Sequence, residues 1–588
     1  MPLKAFKYLL VCCAVFCFCN VSGQNPVLGG QNFSLKLINT DSVKIFKYIK
    51  YKEKYKTNKE LIQSVNSILN DLRSQGYLLA DVVSKSGDSL NKIYSIQIGQ
   101  KFKWATLKKG NADMDVMSKM GYSERIYTNK AFSYSQAARL IEKSITYYEN
   151  NGYPFASLKL DSISIEDNSL SAVLNVNKNK LIKIDSIVVK GDAKINKTFL
   201  YRYLGIKPMM PYNEASFRSI SKKLKQLPFL SESKGLRLDI TEKQNKLYLF
   251  LNKKNASQFD GIIGILPDNK TGKTVFTGDV KIKLVNTIFR SGETFDLNWR
   301  RLQTQTQDFK GRVIYPYILG TPIGVDYALK IYKKDTSFID VNNNIGLQYY
   351  FSGLNNLKVF YKQRNANILS TSGLAFVTVL PDYADVSTQS YGLGLSFEKL
   401  DYRFNPHKGI AININAQTGN KTIKKNPKIN DIVYNNLQLK STQYQSEGDV
   451  NLFLQIKGNS VFHIGAQYGT VFGSAPVFKN ELFRIGGLRT LRGFDEESIF
   501  ASSYVIPTLE YRFLFGQNSN ILVFAEGAWY ENNSGGIYFN DMPFSFGAGI
   551  NFDTKAGIFS LNYALGSQKG NGIDIRSGKI HFGLTALF

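Results

Sequence analysis

The chain has 588 residues, of which 43% are hydrophobic, and its formal net charge is +28. This length is too great for one ordinary globular core, so we expect several domains, or one large barrel with smaller modules. After residue 20 no run of about 20 apolar residues occurs, which excludes a helical membrane protein. The lysines are spread along the whole chain with no DNA-binding motif, so the charge favours contact with anionic lipid and not nucleic acid.

Residues 1–23 predict a secretory signal peptide. Two lysines precede an apolar run at residues 8–19, and small residues follow it. The run is short for a membrane helix, so an uncleaved anchor is the less favoured alternative. All four cysteines lie in this segment, so we expect no disulfide, thiolate metal site or cysteine nucleophile in the mature chain.

Residues 33–254 alternate between helical and strand patterns in three units. Residues 58–85 carry apolar residues at helical spacing, a stop near Gly76 and then a strand, and residues 133–160 repeat this plan. A third unit follows at 181–253. We therefore expect three α+β domains of β-α-α-β-β order, and unrelated small α+β domains are the alternative. Their predicted bounds are 33–100, 101–180 and 181–254.

Residues 257–588 read almost entirely as strand. Sixteen strands of alternating pattern can be placed end to end, and the links after even-numbered strands are mostly short. The longest links all follow odd-numbered strands: 364–388, 419–439, 473–502, 530–543 and 567–578. An even strand count with long loops at one end and tight turns at the other is typical of a transmembrane β-barrel. A soluble all-β domain is the weaker alternative.

The last strand, KIHFGLTALF, displays the alternation directly. One face carries Ile580, Phe582, Leu584 and Phe588, and the other carries Lys579, His581, Gly583 and Thr585. A barrel with lipid outside and a polar lumen requires this pattern.

The stretch FRIGGLRTLRGF, residues 483–494, lies in one of the longest loops of the barrel. It resembles the sixth-loop motif of the BamA/TamA superfamily of outer-membrane insertases, whose core here is Leu491, Arg492, Gly493 and Phe494. In that family the loop folds back into the lumen, and acidic residues on strands twelve and thirteen hold its arginine. The resemblance implies the same placement for Arg492.

Two glutamates are the expected lumen partners of Arg492. A guanidinium inside a barrel is stable only where carboxylates meet it, and arginine pairs with them in a bidentate geometry. Glu510 on strand twelve alternates with Leu509 and Tyr511, which take the lipid face, so it points inward. Glu526 stands on strand thirteen where the family usually has aspartate, so its reach is longer by one methylene.

Further stretches agree with the family. Residues 401–409 resemble its periplasmic turn before strand nine, with Phe404 where aspartate is common, and 546–566 resemble its penultimate hairpin. The terminal Phe588 resembles its C-terminal targeting signal, and the three N-terminal units look like POTRA domains. Three such domains before a sixteen-stranded barrel are closest to the TamA-type layout.

The resemblance implies a protein of a Gram-negative outer membrane that assembles β-barrel or autotransporter-like clients, with its POTRA domains in the periplasm. Its partners would be unfolded outer-membrane proteins, membrane lipid and a periplasmic or inner-membrane accessory protein on the POTRA domains. We expect the seam between the first and last strands to open. Gly261 and Gly264 weaken pairing of the first strand, Gly583 allows the last strand to bend, and Phe588 ends it.

Other functions are less favoured. Two-partner secretion transporters share the loop motif and the barrel, but they usually carry two POTRA domains and a plug helix, neither of which matches this chain. A nutrient porin would need no POTRA array. The three histidines are scattered, and no nucleophile elbow, HExxH or P-loop occurs, so we expect no enzymatic activity, metal or cofactor.

Overall fold

The computed structural model describes the following residues: 33–41, 48–267, 274–303, 306–374, 376–377, 380, 382–403, 405–435, 437–535, 537–554 and 557–587. The predicted signal peptide, Phe404 and Phe588 lie outside these ranges. The chain divides into two compact units, Met1–Leu181 and Ile182–Phe588. Within the described part of the chain, no helix has the length and apolar character needed to cross a membrane.

The first module of the N-terminal unit is a four-stranded sheet covered by one long helix. Its elements are β1 (Phe33–Asn39), β2 (Lys54–Tyr55), α1 (Asn58–Ser74), β3 (Asp81–Gly87) and β4 (Asn91–Gln97). The sheet order is β2-β1-β4-β3, with β1 parallel to β4. The side chain of Thr57 caps α1 by accepting from the amide of Glu60, and the helix buries its predicted apolar face.

The second module repeats this plan. Its elements are β5 (Lys103–Lys108), α2 (Met114–Lys119), a 3₁₀ turn (Glu124–Tyr127), β6 (Lys130–Ala131), α3 (Tyr134–Asn150), β7 (Ser157–Glu166) and β8 (Ser169–Asn177). The sheet order is β6-β5-β8-β7, with β5 parallel to β8. Trp104 is fully buried at the centre of its core, against the rings of Tyr127 and Phe132.

The third module belongs to the second unit. Its elements are β9 (Lys183–Ile184), β10 (Ser186–Lys190), α4 (Lys197–Leu204), β11 (Met210–Pro211), α5 (Glu214–Gln226), β12 (Leu230–Ile240) and β13 (Asn245–Lys253). One sheet has the order β10-β13-β12, and β11 pairs with β9. In all three modules an early strand lies parallel to the last strand of the module. This is the predicted α+β class.

The remainder of the second unit is a closed antiparallel barrel. Its first eleven strands are β14 (Gln258–Pro267), β15 (Thr274–Val285), β16 (Thr294–Gln303), β17 (Thr306–Tyr315), β18 (Ile323–Lys334), β19 (Phe338–Ser352), β20 (Asn355–Ile368), β21 (Val386–Leu400), β22 (Gly409–Ile423), β23 (Lys440–Gln455) and β24 (Ser460–Gly473). A hairpin in the following loop consists of β25 (Phe483–Ile485) and β26 (Ile499–Ala501).

Five further strands complete the barrel. Their segments are β27 (Ser503–Gly516), β28 (Ser519–Gly527), β29 (Trp529–Ser534), β30 (Ile537–Asp541), β31 (Phe544–Thr554), β32 (Gly557–Ser567) and β33 (Lys579–Leu587). β28 and β29 form one strand, because both pair with β27. β30 and β31 form another, because β30 pairs with β29 and β31 pairs with β28. Short 3₁₀ turns occur at Ile318–Gly320, Asp431–Tyr434, Lys479–Glu481 and Ile575–Ser577. The barrel thus has sixteen strands over the described ranges, as predicted.

The barrel reverses the usual distribution of apolar and charged side chains. Leu347, Val359 and Leu393 are more than half exposed on its strands, while Asp326 and Lys421 are almost completely buried. Strand alternation places the first group on the outer surface and the second in the lumen. This reversal is the property of a barrel surrounded by lipid.

The third module shares its core with one end of the barrel. Phe199 of α4 packs its ring 5.7 Å from that of Tyr317, in the turn between β17 and β18. Gly292, in the turn between β15 and β16, has φ +73°, and a Cβ there would lie 2.6 Å from the Phe199 ring. The buried side chains of this module therefore form one continuous apolar cluster with Val285, Tyr317 and Tyr350 of the barrel.

Candidate functional site in the barrel lumen

Residues 474–502 join β24 to β27, and we call them loop six. Leu491 in this loop is fully buried and packs in a cluster with Ile485 and Ile506. Gly486 has a left-handed backbone at φ +109°, and a Cβ there would lie 2.5 Å from the carbonyl oxygen of Asp495. The glycines of the quoted stretch therefore allow loop six to fold tightly on itself.

Arg492 lies at the centre of the folded loop and binds two carboxylates. Its Nε donates to Oε1 of Glu526 at 2.7 Å, and its backbone amide donates to Oε2 of the same residue at 2.8 Å. Its Nη1 donates to Oε2 of Glu510 at 2.8 Å. The guanidinium also lies 3.4 Å from the centre of the Phe524 ring. Both glutamates predicted from the sequence thus accept hydrogen bonds from Arg492, and Glu526 makes more of these contacts than Glu510.

Glu510 also holds a second arginine that the sequence reasoning did not identify. Nε of Arg512 donates to Oε1 of Glu510 at 2.5 Å. Nδ1 of His463 lies 3.9 Å from that oxygen. Arg512 follows Glu510 by two positions on β27, so the alternation that turned Glu510 inward also predicts an inward Arg512. Two arginines and two glutamates balance in charge, as a buried cluster requires.

The two residues that follow Arg492 seat the loop on the fifteenth strand, β32. Gly493 has φ +87°, and a Cβ there would lie 3.0 Å from the amide nitrogen of Gly566. A Cβ on Gly566 would lie 2.7 Å from the Gly493 carbonyl oxygen and 2.9 Å from the ring of Phe494. Backbone therefore approaches backbone at this point, which only glycine permits.

A second ion pair, which the sequence reasoning missed, holds the beginning of loop six. Nζ of Lys421 on β22 lies 2.5 Å from Oε2 of Glu481, and both side chains are nearly inaccessible. The same ammonium donates to the carbonyl oxygen of Pro476 at 2.6 Å. Gln443 and the amide of Phe478 donate to the Glu481 carboxylate at 2.8 and 2.9 Å. The signal in the sequence that could have predicted this pair was an acidic residue in the loop together with a lysine on the lumen side of a strand.

A third contact reaches the early strands. Oε1 of Glu497 in loop six lies 2.5 Å from Nη2 of Arg300 on β16, and Oε2 lies 3.2 Å from Nη1 of Arg484. The Arg484 guanidinium stacks 3.6 Å from the ring of Tyr332. Loop six is therefore fastened to the third, ninth, twelfth, thirteenth and fifteenth strands, and it occupies the lumen between them.

The loops at the long-loop end of the barrel form an apolar core of their own. Its members come from the loops after β20 and β22, from neighbouring strand ends and from loop six. They are Ala384, Val386, Ile423, Ile429, Val433, Tyr434 and Phe478. Because Phe478 lies three residues before Glu481, the apolar core and the Lys421 ion pair hold the same part of loop six.

The seam between β14 and β33 is joined at one end. Among the described residues, the pairs across it are Gln258 with Leu587 and Phe259 with Ala586. By contrast, β14 pairs with β15 along its whole length. The glycines expected to weaken the seam face their inner neighbours in register, Gly261 opposite Val280, Gly264 opposite Thr277 and Gly583 opposite Ser560.

Solved structures resemble this chain in fold. CdiB from Acinetobacter baumannii covers 90% of this chain and 97% of its own at 12% identity, with a TM-score of 0.52. CdiB from Escherichia coli gives the same coverage and TM-score at 11% identity. BamA from Haemophilus ducreyi lacking POTRA domains 1–3 covers 82% of this chain and 100% of its own at 14% identity, with a TM-score of 0.42.

The sequence itself also matches a family model. A comparison with curated proteins gives no significant match. Residues 288–588 match the Omp85 superfamily domain, and this range covers half of the chain and most of its barrel. The resemblance read from the loop-six motif is thereby confirmed, and the chain belongs to the Omp85 superfamily of outer-membrane β-barrel proteins.

Proposed function

We propose that this protein inserts unfolded β-barrel or autotransporter-like proteins into the outer membrane through lateral opening of the β14/β33 seam. The observation that carries the proposal is the short seam. Beyond Gln258 and Phe259, the residues of β14 up to Pro267 pair with β15 alone within the described chain, and Lys579–Thr585 pair with β32 alone.

An open seam supplies a template for an incoming strand. Unpaired backbone N–H and C=O groups at a strand edge are costly in hydrocarbon, where no water is available to bind them. An incoming strand that pairs with β14 or β33 satisfies those groups by β-augmentation. Folding of the client and burial of its apolar face then supply the free energy, so the proposal needs no nucleotide, cofactor or enzymatic step.

The occupied lumen favours this lateral route. A polypeptide passing through the lumen would have to displace loop six, which the Arg492 and Lys421 ion pairs hold. Separating these pairs would leave buried charges without their partners, which is strongly destabilising. The apolar core at the long-loop end would have to open as well. Lateral opening leaves all of these contacts in place.

The N-terminal modules would receive clients by the same backbone pairing in the periplasm. β3 and β7 are edge strands of their sheets. Val83 on β3 and Ile163 and Ile165 on β7 are more than half exposed. An extended client segment can add to such an edge and contact these side chains. A periplasmic or inner-membrane accessory protein would be a further partner of these modules, and the barrel surface contacts membrane lipid.

The alternative is a two-partner-secretion-type pore that exports a dedicated protein through the lumen. The CdiB structures share the fold, which both functions use. The three modules of this chain favour the insertase, since the transporters usually carry two.

The test uses cysteines at Ile263 and Phe582, in the part of the seam that is unpaired in the described chain, which stand opposite each other when the register of Gln258 with Leu587 is continued. The purified variant is reconstituted in liposomes, and assembly of a urea-denatured outer-membrane barrel is followed by its heat-modifiable migration on gels. A matched control places cysteines at Ile282 and Leu297, which face each other on the fully paired strands β15 and β16. That crosslink joins strands that the proposed mechanism never separates.

We expect oxidation to stop client assembly in the seam variant, reduction to restore it, and the control to be active in both states. Full activity with the seam crosslinked would rule out lateral opening. Failure of the uncrosslinked protein to assemble any barrel client would favour the export alternative.

A further inference from the structure

A cavity of about 480 Å³ lies in the lumen between loop six and the wall of the early strands. Its lining includes Lys310, Lys330, Lys362, Arg484 and Arg489. The volume is within the range of about 300–1,000 Å³ that small-molecule sites occupy. The lining is rich in cations, which is unusual for a space enclosed by protein unless carboxylates balance them.

Two of these lysines face each other directly. Lys310 on β17 is paired in register with Lys330 on β18, so their side chains stand side by side on the lumen wall. Lys310 lies 3.1 Å from Oδ2 of Asp308. The positive charges of Arg484 and Lys310 act against the charge of Lys330, and those of Asp308 and Asp340 favour it. Within the described chain no carboxylate lies in ion-pair contact with Lys330.

Most of the nearby carboxylates are already engaged. Asp340 binds Arg364 at 2.9 Å, Glu497 binds Arg300 and Arg484, and Glu481 binds Lys421. Glu496 lies 3.6 Å from Arg300, and Asp279 lies 3.4 Å from Lys281. Glu447 on β23 is the remaining acidic residue of the described lining.

Four cations of the described lining have no carboxylate in ion-pair contact, and one of them, Lys334, donates to the hydroxyl of Tyr383. Lys362 has the amide oxygen of Gln445 at 3.5 Å as its polar contact, and Lys330 faces a second lysine. Arg489 of loop six is exposed towards the cavity, and its guanidinium has no ion-pair partner among the described residues. Against the single free carboxylate of Glu447, the cavity retains a surplus of positive charge.

We propose that this cavity is a binding site for a small multivalent anion that carries phosphate groups. Lysine and arginine are the side chains that bind phosphate, lysine as a point charge and arginine through its planar fork. A diphosphate would neutralise Lys330, Lys362 and Arg489 together and relieve the repulsion between Lys310 and Lys330. Free diphosphate and the phosphorylated head group of a membrane lipid present the same chemistry to these residues.

The site is tested by thermal unfolding of the full-length protein in a nonionic detergent at low ionic strength. Sodium pyrophosphate is titrated against sodium chloride of matched ionic strength. The variants are Lys330→Gln, Lys330→Arg and, as a control, Lys457→Gln, an exposed lysine in the turn between β23 and β24. Heat-modifiable migration verifies that each variant is folded.

Pyrophosphate is expected to raise the Tm of the wild type in a saturable manner that chloride does not reproduce. In the absence of the anion, Lys330→Gln should unfold at a higher temperature than the wild type, because one of two facing charges is gone. It should also bind pyrophosphate at least tenfold more weakly. Lys330→Arg and Lys457→Gln should retain binding.

The same titration with vesicles of phosphatidylcholine, with and without a phosphorylated glycolipid, distinguishes the two sources. The site would be assigned to a lipid head group if the wild type binds the glycolipid but not pyrophosphate, and if Lys330→Gln abolishes the glycolipid binding. Equal shifts for the wild type and Lys330→Gln, or binding of neither probe, would overturn the proposal. A lower Tm of anion-free Lys330→Gln would also overturn it, since Lys330 would then be satisfied within the protein.

Discussion

Lys421 and Glu481 form a fully enclosed ion pair between the barrel wall and loop six, with Nζ and Oε2 2.5 Å apart. The glutamate accepts from Gln443 and from the amide of Phe478, and the lysine donates to the Pro476 carbonyl. Every partner except Gln443 belongs to loop six. The pair therefore fixes where that loop enters the lumen, at a point far along the chain from the Arg492 motif.

Removal of one member of this pair should destabilise the barrel far more than removal of both. Lys421→Met leaves the Glu481 charge buried without its partner, which we expect to cost about 3–5 kcal/mol of unfolding free energy. Adding Glu481→Gln should recover part of that loss, because no isolated charge then remains. A double-mutant cycle of urea unfolding in detergent measures the coupling.

The control for this cycle is Lys425→Met. Lys425 lies 3.6 Å from Asp431 with both side chains largely exposed, so its loss should change stability by at most about 1 kcal/mol. Strictly additive effects of Lys421→Met and Glu481→Gln would contradict the coupling.

Arg492→Lys should release loop six from the lumen without unfolding the barrel. A lysine can make one strong contact, whereas Arg492 donates from Nε and Nη1 to different carboxylates. We expect trypsin to cleave the variant within residues 474–502 at least tenfold faster than the wild type. Arg576→Lys, on an exposed loop residue, serves as control and should keep the wild-type pattern. Unchanged cleavage of Arg492→Lys would mean that other contacts suffice to hold the loop.

Gly493→Ala should be more harmful than the same change at Gly570. Both glycines have left-handed backbones, at φ +87° and +83°, so alanine costs each about 1–2 kcal/mol in conformation. A Cβ on Gly493 would also lie 3.0 Å from the backbone of Gly566, whereas nothing lies within 4 Å of one on Gly570. The difference in unfolding free energy measures how closely loop six approaches β32. Equal losses would show that this contact is not tight in solution.

Phe199→Ala should loosen the third module from the barrel. The Phe199 ring contacts those of Tyr203, Phe229 and Tyr317, and the side chain is 2% exposed. Truncating such a residue costs about 3–5 kcal/mol. We expect faster amide hydrogen exchange in residues 182–254 with little change in the barrel strands. Phe155→Ala, which truncates an exposed ring in the second module, should leave exchange of these residues unaltered. Exchange in Phe199→Ala equal to that of the wild type would contradict a shared core.

Local sequence patterns were sufficient to predict the strands, the helical faces and the side to which most charged residues point. These are local properties, since the two-residue period of a strand and the 3.6-residue period of a helix are written in neighbouring residues. For this reason alternation assigned Glu510 to the lumen, the sixteen strands could be counted, and the buried face of α1 could be predicted. Glu526 was named from the family resemblance.

Which inward-facing groups meet, by contrast, depends on the folded path of the chain. Lys421 and Glu481 are 60 positions apart, and Phe199 reaches a turn more than 100 positions later. Such contacts depend on the path of a loop through the lumen and on how a module seats on the barrel. Alternation carries no information about either, because it states the face of a residue and not its neighbour across the barrel.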